Sequence, residues 1–333
     1  MDSSNQPKVS FLIPVLNEEK TIRKCLNSIL DIDYPQEKKE ILLALGKSTD
    51  GTNKIIEQYK SKYPELIKTY ENPTGNTSTG RKICVENSTG DMLMNYSGHV
   101  VADKNLLKVL AIKLSNSDKK IAAVGCSNIS PEKQNFIGKV AGIAFSGIMG
   151  GKNLFVQNAV FDSERFSDHI SFACYRKKTV LEVGNFDPEF WCGQDAELDL
   201  RLLKAGYKIL YTPETKVYHF KRNTMKSLFR QMYRYGIARA KMAKKHPKSL
   251  KVFHLFGTGF IIGIIFLAVL TILNIIPFWV IPVLALSYVL LCIFSSFQVT
   301  KKPVLVFASI LFYFLIHIGY GTGFLRGLVY GKL

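Results

Sequence analysis

Gln194-Asp195-Ala196-Glu197 follows an aromatic, glycine-containing loop and opens a run in which Leu198, Leu202 and Leu203 share one helical face, until Gly206 stops it. Asp195 therefore falls in or just before the first helical turn. The helix dipole there favours an ionised carboxylate, which is able to accept a proton. A helix cap is the plainer role for the same residue. Glu197 points elsewhere and has Arg201 as its i,i+4 partner, so residues 195 and 197 are not a catalytic carboxylate pair.

A carboxylate at a helix mouth needs a frame, and the chain ahead of it supplies one. Residues 8–15, KVSFLIPV, are a short β-rich run, and a helical stripe of Ile22, Leu26, Ile29 and Leu30 follows. Residues 40–45, EILLAL, are a second apolar strand, ending in the turn Gly46 to Thr52, where Asp50 reads as a helix cap. This β-α-β-α order predicts an α/β domain with an open, mostly parallel, Rossmann-like sheet that binds ligands at its strand ends. No GxGxxG follows the first strand, which argues against a dinucleotide site. The loop Asn72 to Arg81 is rich in small donors with one fixed cation; it suits a phosphate-bearing ligand or is an ordinary surface loop. Strand residues 92–96 then lead to Ser97-Gly98-His99.

Length and charge bound the rest. The 333 residues suffice for one sizeable domain plus a further part. Residues 252–300 contain no Lys, Arg, Asp or Glu, enough for two membrane spans with a turn near 274–277, and residues 304–325 suggest a third. The formal net charge of +18 is uneven: residues 221–251 hold eleven Lys or Arg and no acid, directly before the first span. The positive-inside rule then places this block, and the preceding domain, on the cytosolic side. The start, MDSSNQPK, is polar and does not read as a cleavable signal. The adjacent spans make anionic lipid the expected partner of the basic block, not nucleic acid. Met225, Leu228, Phe229, Met232, Tyr233 and Ile237 recur at helical spacing within it, which predicts an interfacial amphipathic helix with its apolar side in the lipid boundary. A third span running outward would put Arg326 and Lys332 outside, against the charge rule; a re-entrant path for 303–325 would avoid this. The six Cys show no metal-ligand spacing and read as reduced thiols. The expected divisions are 1–221, 222–251 and 252–333.

In order, VSFLIPVLNEEKTIRKCLNSIL, STDGT, GRK with STGD, and GNFDPEF with QDAELDLRLLKAGYKI resemble the family 2 glycosyltransferases of GT-A fold, over about residues 8–250. SGHV, FACYRKKTVLEVGNFDPEF, QDAELDLRL and YHFKR with LFRQMYRYGIARAK are most similar to the succinoglycan-biosynthesis glucosyltransferase-like subgroup. The resemblance implies an inverting, multi-pass membrane enzyme with a cytosolic catalytic domain. It would move a hexose from a nucleoside-diphosphate sugar to a lipid-linked, polyprenyl-type saccharide. Asp195 would be the general base, and Gln194 would help position the acceptor. Pro14, Asn17, Glu18, Arg81, Gly98 and His99 would meet the nucleotide sugar.

Two departures from the family pattern matter. Ser97-Gly98-His99 stands where relatives carry DxD, so a divalent metal (Mg²⁺ or Mn²⁺) would rest on His99 and on His219, which matches a His that binds metal or phosphate in relatives. Leu45 replaces an Asp that reads the base or ribose. Gln231 to Tyr235 resembles the QxxRW element, which makes Arg222, Arg230, Gln231 and Arg234 candidates for a diphosphate or acceptor clamp; plain lipid binding is the alternative. Trp191 either stacks on a sugar or packs its own loop. Residues 146–156 are an acceptor-side segment or a linker. Two rival functions stay open: synthesis of a polyprenyl-phosphate hexose, and a non-catalytic sugar-nucleotide-binding or scaffold subunit.

Overall fold

The computed structural model describes residues 6–129, 135–150, 161–219 and 224–330. The chain divides into two compact units. The first comprises Met1–Ile129 and Val160–His219, and the second Ser130–Ala159 and Phe220–Leu333.

In the first unit, β1 (Val9–Val15), β2 (Lys39–Leu45), β3 (Ile67–Glu71) and β4 (Met92–Asn95) pair in parallel in the order β3-β2-β1-β4. Parallel strands need crossovers, and α1 (Ile22–Leu30), α2 (Thr52–Lys62) and α3 (Thr77–Glu86) supply them. Beyond β4 the sheet is mixed. β8 (Cys174–Arg176) runs antiparallel to both β4 and β6 (Ile121–Ile129). β6 pairs in parallel with β9 (Lys208–His219), and β5 (Val100–Ala102) and β7 (Arg165–Phe166) lie antiparallel to β9.

Phe11, Ile13, Ile41, Leu43 and Met94 face one side of the sheet, where Ile22, Leu26 and Ile29 of α1 cover them. Leu12, Leu42, Ala44 and Leu93 face the other, with Leu198 and Leu202 of α7 (Gln194–Lys204). Burying each of the Leu, Ile, Phe and Met side chains contributes about 1.5–3 kcal/mol. Both faces are covered, which is why residues 11–15 and 41–45 of the first two strands read as apolar runs without alternation. α4 (Leu106–Asn116) and the short α6 (Lys177–Glu182) complete this unit.

The second unit is helical: α5 (Phe136–Ser146), α8 (Met225–Lys245), α9 (Phe256–Ile272), α10 (Val280–Phe297) and α11 (Pro303–Tyr330). Among the described residues, 252–272, 280–297 and 303–330 are long and apolar enough to cross a membrane, judged by length and composition. The break between the first two holds Asn274 in a left-handed turn (φ 54°), where the composition places it. α11 is one continuous helix, so no re-entrant turn forms within 303–325.

The apolar stripe of α8 does not face lipid as expected. Leu228, Met232 and Ile237 are buried: a face of α11 lined by Gly319, Gly323 and Gly327 lies against Phe229, Met232, Tyr233 and Ile237, and Leu228 joins the same apolar cluster. Glycines at this spacing let two backbones approach closely. Lys244 Nζ then donates to the carbonyl oxygens of Gly327 (3.0 Å) and Leu328 (2.6 Å), satisfying acceptors that the last turn of α11 leaves open. α5 belongs to the same cluster: Val140, Ala141, Ala144 and Phe145 are buried with Phe312, Tyr313 and Ile316 of α11. The 3-10 turn after α5 (Ile148–Gly150) is held by two polar side chains. Met149 N donates to Ser295 Oγ (3.1 Å), and the Met149 carbonyl meets His317 Nε2 at 2.7 Å.

Candidate active site

α7 begins where the sequence places it. Gly193 takes a left-handed φ of 69° at its start, and Gln194 and Asp195 form the first turn. Asp195 Oδ1 accepts from Ala196 N at 3.0 Å, so the carboxylate sits against the helix mouth, and its side chain is only 16% exposed. The Glu197–Arg201 pair forms as its spacing predicts, with Arg201 Nη2 at 2.7 Å from Glu197 Oε2. The same guanidinium donates to the Val183 and Asn185 carbonyls, so the pair braces the loop ahead of Asp195. Ser78 Oγ donates to Asp187 O (2.6 Å) and Asn76 Nδ2 to Pro188 O (2.6 Å), which ties that loop to the start of α3.

Behind Asp195 lies a group of residues that spacing alone does not single out. His169 Nε2 is 3.9 Å from Asp195 Oδ2, and His169 Nδ1 is 2.5 Å from Asp199 Oδ2. Asp199 is fully buried and also accepts from Tyr175 OH (2.8 Å) and Ile170 N (3.3 Å). Burial pushes its carboxyl up from the ordinary range, and the bonds from His169 and Tyr175 pull it back. The one available signal was Asp199 itself, an acid on the buried side of α7, four residues from Asp195.

Arg81 is 3% exposed, and its guanidinium carbon lies 5.8 Å from the centre of the Phe186 ring. Nη2 makes a long contact with the Tyr96 carbonyl (3.5 Å), while Nε and Nη1 have no hydrogen-bond partner among the described residues. Burial lowers its pKa, and the Asp195 carboxylate opposes that shift. A guanidinium stays charged under such conditions, so this is a buried cation with donors in reserve, within electrostatic range of the Asp195 carboxylate. Gly80 lets α3 approach β1: a Cβ there would lie 2.9 Å from Pro14 Cβ.

A third cluster forms at the carboxyl ends of β1 and β4. Glu18 Oε1 meets His99 Nδ1 at 2.7 Å, and a Cβ on Gly98 would lie 3.2 Å from Glu18 Cγ. His219, at the end of β9, is brought to His99 by the β5–β9 pairing, with ring centres 5.0 Å apart. Asn17 adopts a left-handed φ of 55° and accepts from Thr49 N (2.8 Å), joining the end of β1 to the loop after β2. Asp50 Oδ1 accepts from Thr52 N (3.1 Å), the first residue of α2, while the N-cap position itself is Gly51, one residue later than the cap the sequence suggests.

Pro14, Glu18, Arg81, Gly98, His99, Gln194, Asp195 and His219 thus all lie in the first unit. Gln194 is 7% exposed, with no partner for Oε1 among the described residues; Trp191 is 51% exposed, so it does not pack its own loop as a core residue. Gln231 and Arg234 lie on α8 of the second unit, where Gln231 Nε2 donates to Tyr235 OH (3.1 Å) and Arg234 is exposed. Arg222 and residues 151–156 lie outside the described residues. Among the described residues, no group of three or more His, Cys, Asp or Glu side chains is placed to hold a metal ion.

The profile of "Glycosyltransferase like family 2" matches residues 7–238. The chain is 29% identical to the dolichyl N-acetyl-alpha-D-glucosaminyl phosphate 3-beta-D-2,3-diacetamido-2,3-dideoxy-beta-D-glucuronosyltransferase of Methanococcus voltae, over 97% of this chain and 98% of that protein. It is 27% identical to the succinoglycan biosynthesis protein ExoA of Rhizobium meliloti, over 71% of this chain and 70% of that one. Among solved structures, the mannosyltransferase PcManGT of Pyrobaculum calidifontis, in complex with GDP-Man and Mn²⁺, superposes with a TM-score of 0.67. That match covers 98% of this chain and 89% of the other at 15% identity, and so it concerns the fold.

Proposed function

The chain belongs to glycosyltransferase family 2, and from that premise we propose that it is an inverting, multi-pass membrane glycosyltransferase which moves a hexose from a nucleoside-diphosphate sugar to a polyprenyl-type lipid-linked saccharide at the cytosolic face. The observation that carries the chemistry is the position of Asp195: a partly exposed carboxylate in the first turn of α7, within electrostatic range of the buried Arg81 guanidinium, whose Nε and Nη1 have no partner among the described residues. A general base must reach the proton that it takes. Asp195 accepts the acceptor hydroxyl's proton while that oxygen attacks the anomeric carbon, and the bond to the diphosphate oxygen breaks on the opposite side. Gln194, in the same turn, orients the acceptor. Arg81 stabilises the negative charge that grows on the leaving group. Pro14, Asn17, Glu18, Gly98 and His99 line the nucleotide side.

A divalent ion at the strand ends would rest on two imidazoles, with its remaining coordination positions left to diphosphate oxygens and water. Glu18 on His99 Nδ1 leaves Nε2 to bind, which is the usual carboxylate–histidine arrangement behind a metal ligand. His99 and His219 would hold the ion, and two imidazoles suit Mn²⁺ better than Mg²⁺. A bound ion there would neutralise diphosphate charge.

The lipid acceptor is supported by the likeness to the Methanococcus voltae enzyme, whose name gives a dolichyl phosphate-linked sugar, and by the apolar helices. Residues 222–251 carry the excess of positive charge directly ahead of the apolar helices, and within α8 Gln231 and Arg234 are the proposed contacts to the phosphate of the lipid-linked acceptor. The test is transfer by the detergent-solubilised full chain. A panel of UDP- and GDP-sugars is offered with a polyprenyl-diphosphate saccharide or with polyprenyl phosphate, alongside Asp195→Asn. Transfer to the saccharide that the substitution abolishes supports the reading. Transfer to polyprenyl phosphate alone replaces the acceptor, and no transfer from any donor refutes it.

A further inference from the structure

We propose that α11 does not cross the membrane. It lies in the plane of the cytosolic face, with one stripe of side chains in the boundary between headgroups and acyl chains, so that α9 and α10 are the two spans and Tyr330 stays on the side of α8. The proposal rests on the cytosolic placement of the basic helix α8 and is independent of the transferase chemistry.

Length and apolarity allow α11 to span, but its neighbours do not. Gly319 lies against Phe229 and Met232, Gly323 against Tyr233, and Gly327 against Ile237 and Ala240, while Lys244 Nζ donates to the Leu328 carbonyl (2.6 Å). The residue numbers rise together, so the second half of α11 runs parallel to α8. α8 carries seven Lys or Arg and no acid, which keeps it out of hydrocarbon. Ten residues separate its end at Lys245 from the start of α9 at Phe256, so it stays at the end where the first span begins. A third span would carry residues 319–328 away from that end, toward the 273–279 turn between α9 and α10. They lie beside α8 instead.

The two spans meet α11 accordingly. The His317 ring lies 5.0 Å from that of Phe256 and 5.4 Å from that of Phe260, and Gly321 lies against both Gly257 and Ile261. Residues one turn apart on α9 thus share a single neighbour on α11, which marks a steep crossing and not two helices side by side. α10 meets α11 through Tyr288 OH with His317 Nδ1 (2.9 Å), Ser295 Oγ with Tyr313 OH (3.0 Å), and Ser296 with Ser309. These contacts use the first turns of α9 and the second half of α10, the ends that share a side. The other halves are exposed, at Ile265, Phe266 and Ile272 of α9 and at Val283 and Leu286 of α10. α5 adds a further constraint. It shares a buried cluster with Phe312, Tyr313 and Ile316 in the middle of α11, has 11 residues and exposes Lys139. A spanning α11 would hold that short helix and its ammonium at the depth of the bilayer centre.

The face of α11 that remains fits lipid. Val304, Phe307, Leu311 and Phe314 are exposed, and steps of three or four residues carry the same uncharged stripe to Leu325 and Val329. The Phe314 ring lies 6.1 Å from that of Phe260, so the stripe runs into the apolar surface of the first span. At 1.5 Å per residue the 28 residues of α11 reach about 42 Å, more than the roughly 30 Å that a span needs. Lys301 and Lys302 at its start are exposed, as is Arg326 near its end, whose guanidinium carbon lies 6.0 Å from the centre of the Tyr233 ring. In the plane, all three cations face the anionic headgroups of one leaflet together with α8, and the charge rule holds at both ends of α11. An apolar stripe flanked by cations is the pattern of a helix that lies on a membrane.

The experiment uses the full chain carrying Cys192→Ser, since the other native cysteines are buried. Lys226→Cys of α8, Ile275→Cys of the turn and Tyr330→Cys of α11 are exposed to a membrane-impermeant maleimide in right-side-out and inside-out membrane vesicles. Lys226→Cys and Tyr330→Cys should label from the cytosolic side, and Ile275→Cys from the other. Tyr330→Cys labelled from the side of Ile275→Cys makes α11 a span, and overturns the proposal while leaving the cytosolic placement of α8 intact. Lys226→Cys labelled from the outside overturns that placement, and the proposal with it. Depth is the second readout. Nitroxides on Val304→Cys, Phe314→Cys and Leu325→Cys, in liposomes containing phosphatidylglycerol, are relaxed by oxygen and by a nickel chelate. A helix in the plane keeps the three at one depth near the acyl boundary, whereas a span sets residue 314 about 15 Å deeper than residue 304, and a difference above about 8 Å overturns the proposal. Low collision rates with both reagents along the stripe mean that protein, such as a second copy of the chain, covers it in place of lipid, and also overturn the proposal. Phe307→Cys and Leu311→Cys serve where a stripe variant does not fold.

Discussion

The Tyr320 carbonyl oxygen in α11 lies 2.1 Å from where the first side-chain carbon of any residue other than glycine would stand at position 236 of α8. Gly323 is equally tight against the Tyr233 carbonyl, at 2.0 Å. Both obstacles are backbone, so a larger residue can only push the helices apart. Gly236→Ala and Gly323→Ala should each destabilise the second unit by about 1–3 kcal/mol, read as a lower melting temperature in detergent. Gly259→Ala and Gly263→Ala meet nothing within 4 Å and are the matched controls, expected to leave melting unchanged or slightly raise it.

Asp195→Asn keeps the shape of the side chain and removes its basicity. Transfer should fall by about 10²- to 10⁴-fold while nucleoside-diphosphate binding persists, as measured by single-turnover transfer beside calorimetric titration. A variant that retains transfer would move the base elsewhere.

Nε and Nη1 of Arg81 have no partner among the described residues, so their donors become available when an anion enters. Arg81→Met should raise the donor KM or lower kcat/KM by about 10- to 100-fold. Arg81→Lys should recover little of it, because a single ammonium cannot replace two guanidinium donors. Steady-state kinetics against donor concentration decides the matter.

Chelation should suppress transfer, and Mn²⁺ should restore it at lower concentration than Mg²⁺, because the proposed ligands are His99 and His219. His99→Ala should raise the Mn²⁺ concentration required. Equal restoration by both ions in wild type and variant would remove these histidines from the metal account.

Glu40 predicts an acid-sensitive fold. Burial pushes its carboxyl up, but bonds from Ser10, Thr89 and Gly90 outweigh this and hold it below the ordinary range. Stability from a depressed carboxylate is fully present above its unfolded value, about pH 4.3, and is lost as pH falls through the folded one. The melting difference between wild type and Glu40→Gln should therefore be largest near neutrality and shrink below about pH 4. A difference independent of pH would contradict it.

What the sequence disclosed follows from the range of the forces involved. β1 and β2 were legible because both faces of each are buried, and Asp195 was legible because a helix start is written in consecutive residues. The Glu197–Arg201 pair was legible because four residues make one turn. His169 was not, since its partner Asp199 is thirty residues away and nothing in SDHISF marks a ring that the fold will aim. The antiparallel placement of β8 between β4 and β6 rests on pairings just as distant. The stripe of α8 was visible, but its covering was not. Gly319, Gly323 and Gly327 read as ordinary residues of an apolar run until a second backbone lies against them.

The membership of α5 in the helical unit has a consequence for the order of synthesis. Its partners in α11 begin at Pro303, well over a hundred residues after α5 ends at Ser146. At a synthesis rate of about 5–20 residues per second, the apolar face of α5 waits on the order of ten seconds or more for them. In that interval Val140, Ala141, Ala144 and Phe145 must be sheltered by lipid or a chaperone. A chain cut after His219 would carry the same face without its described partners in α8, α10 and α11, so a fragment ending there should aggregate unless α5 is removed with the rest of its unit.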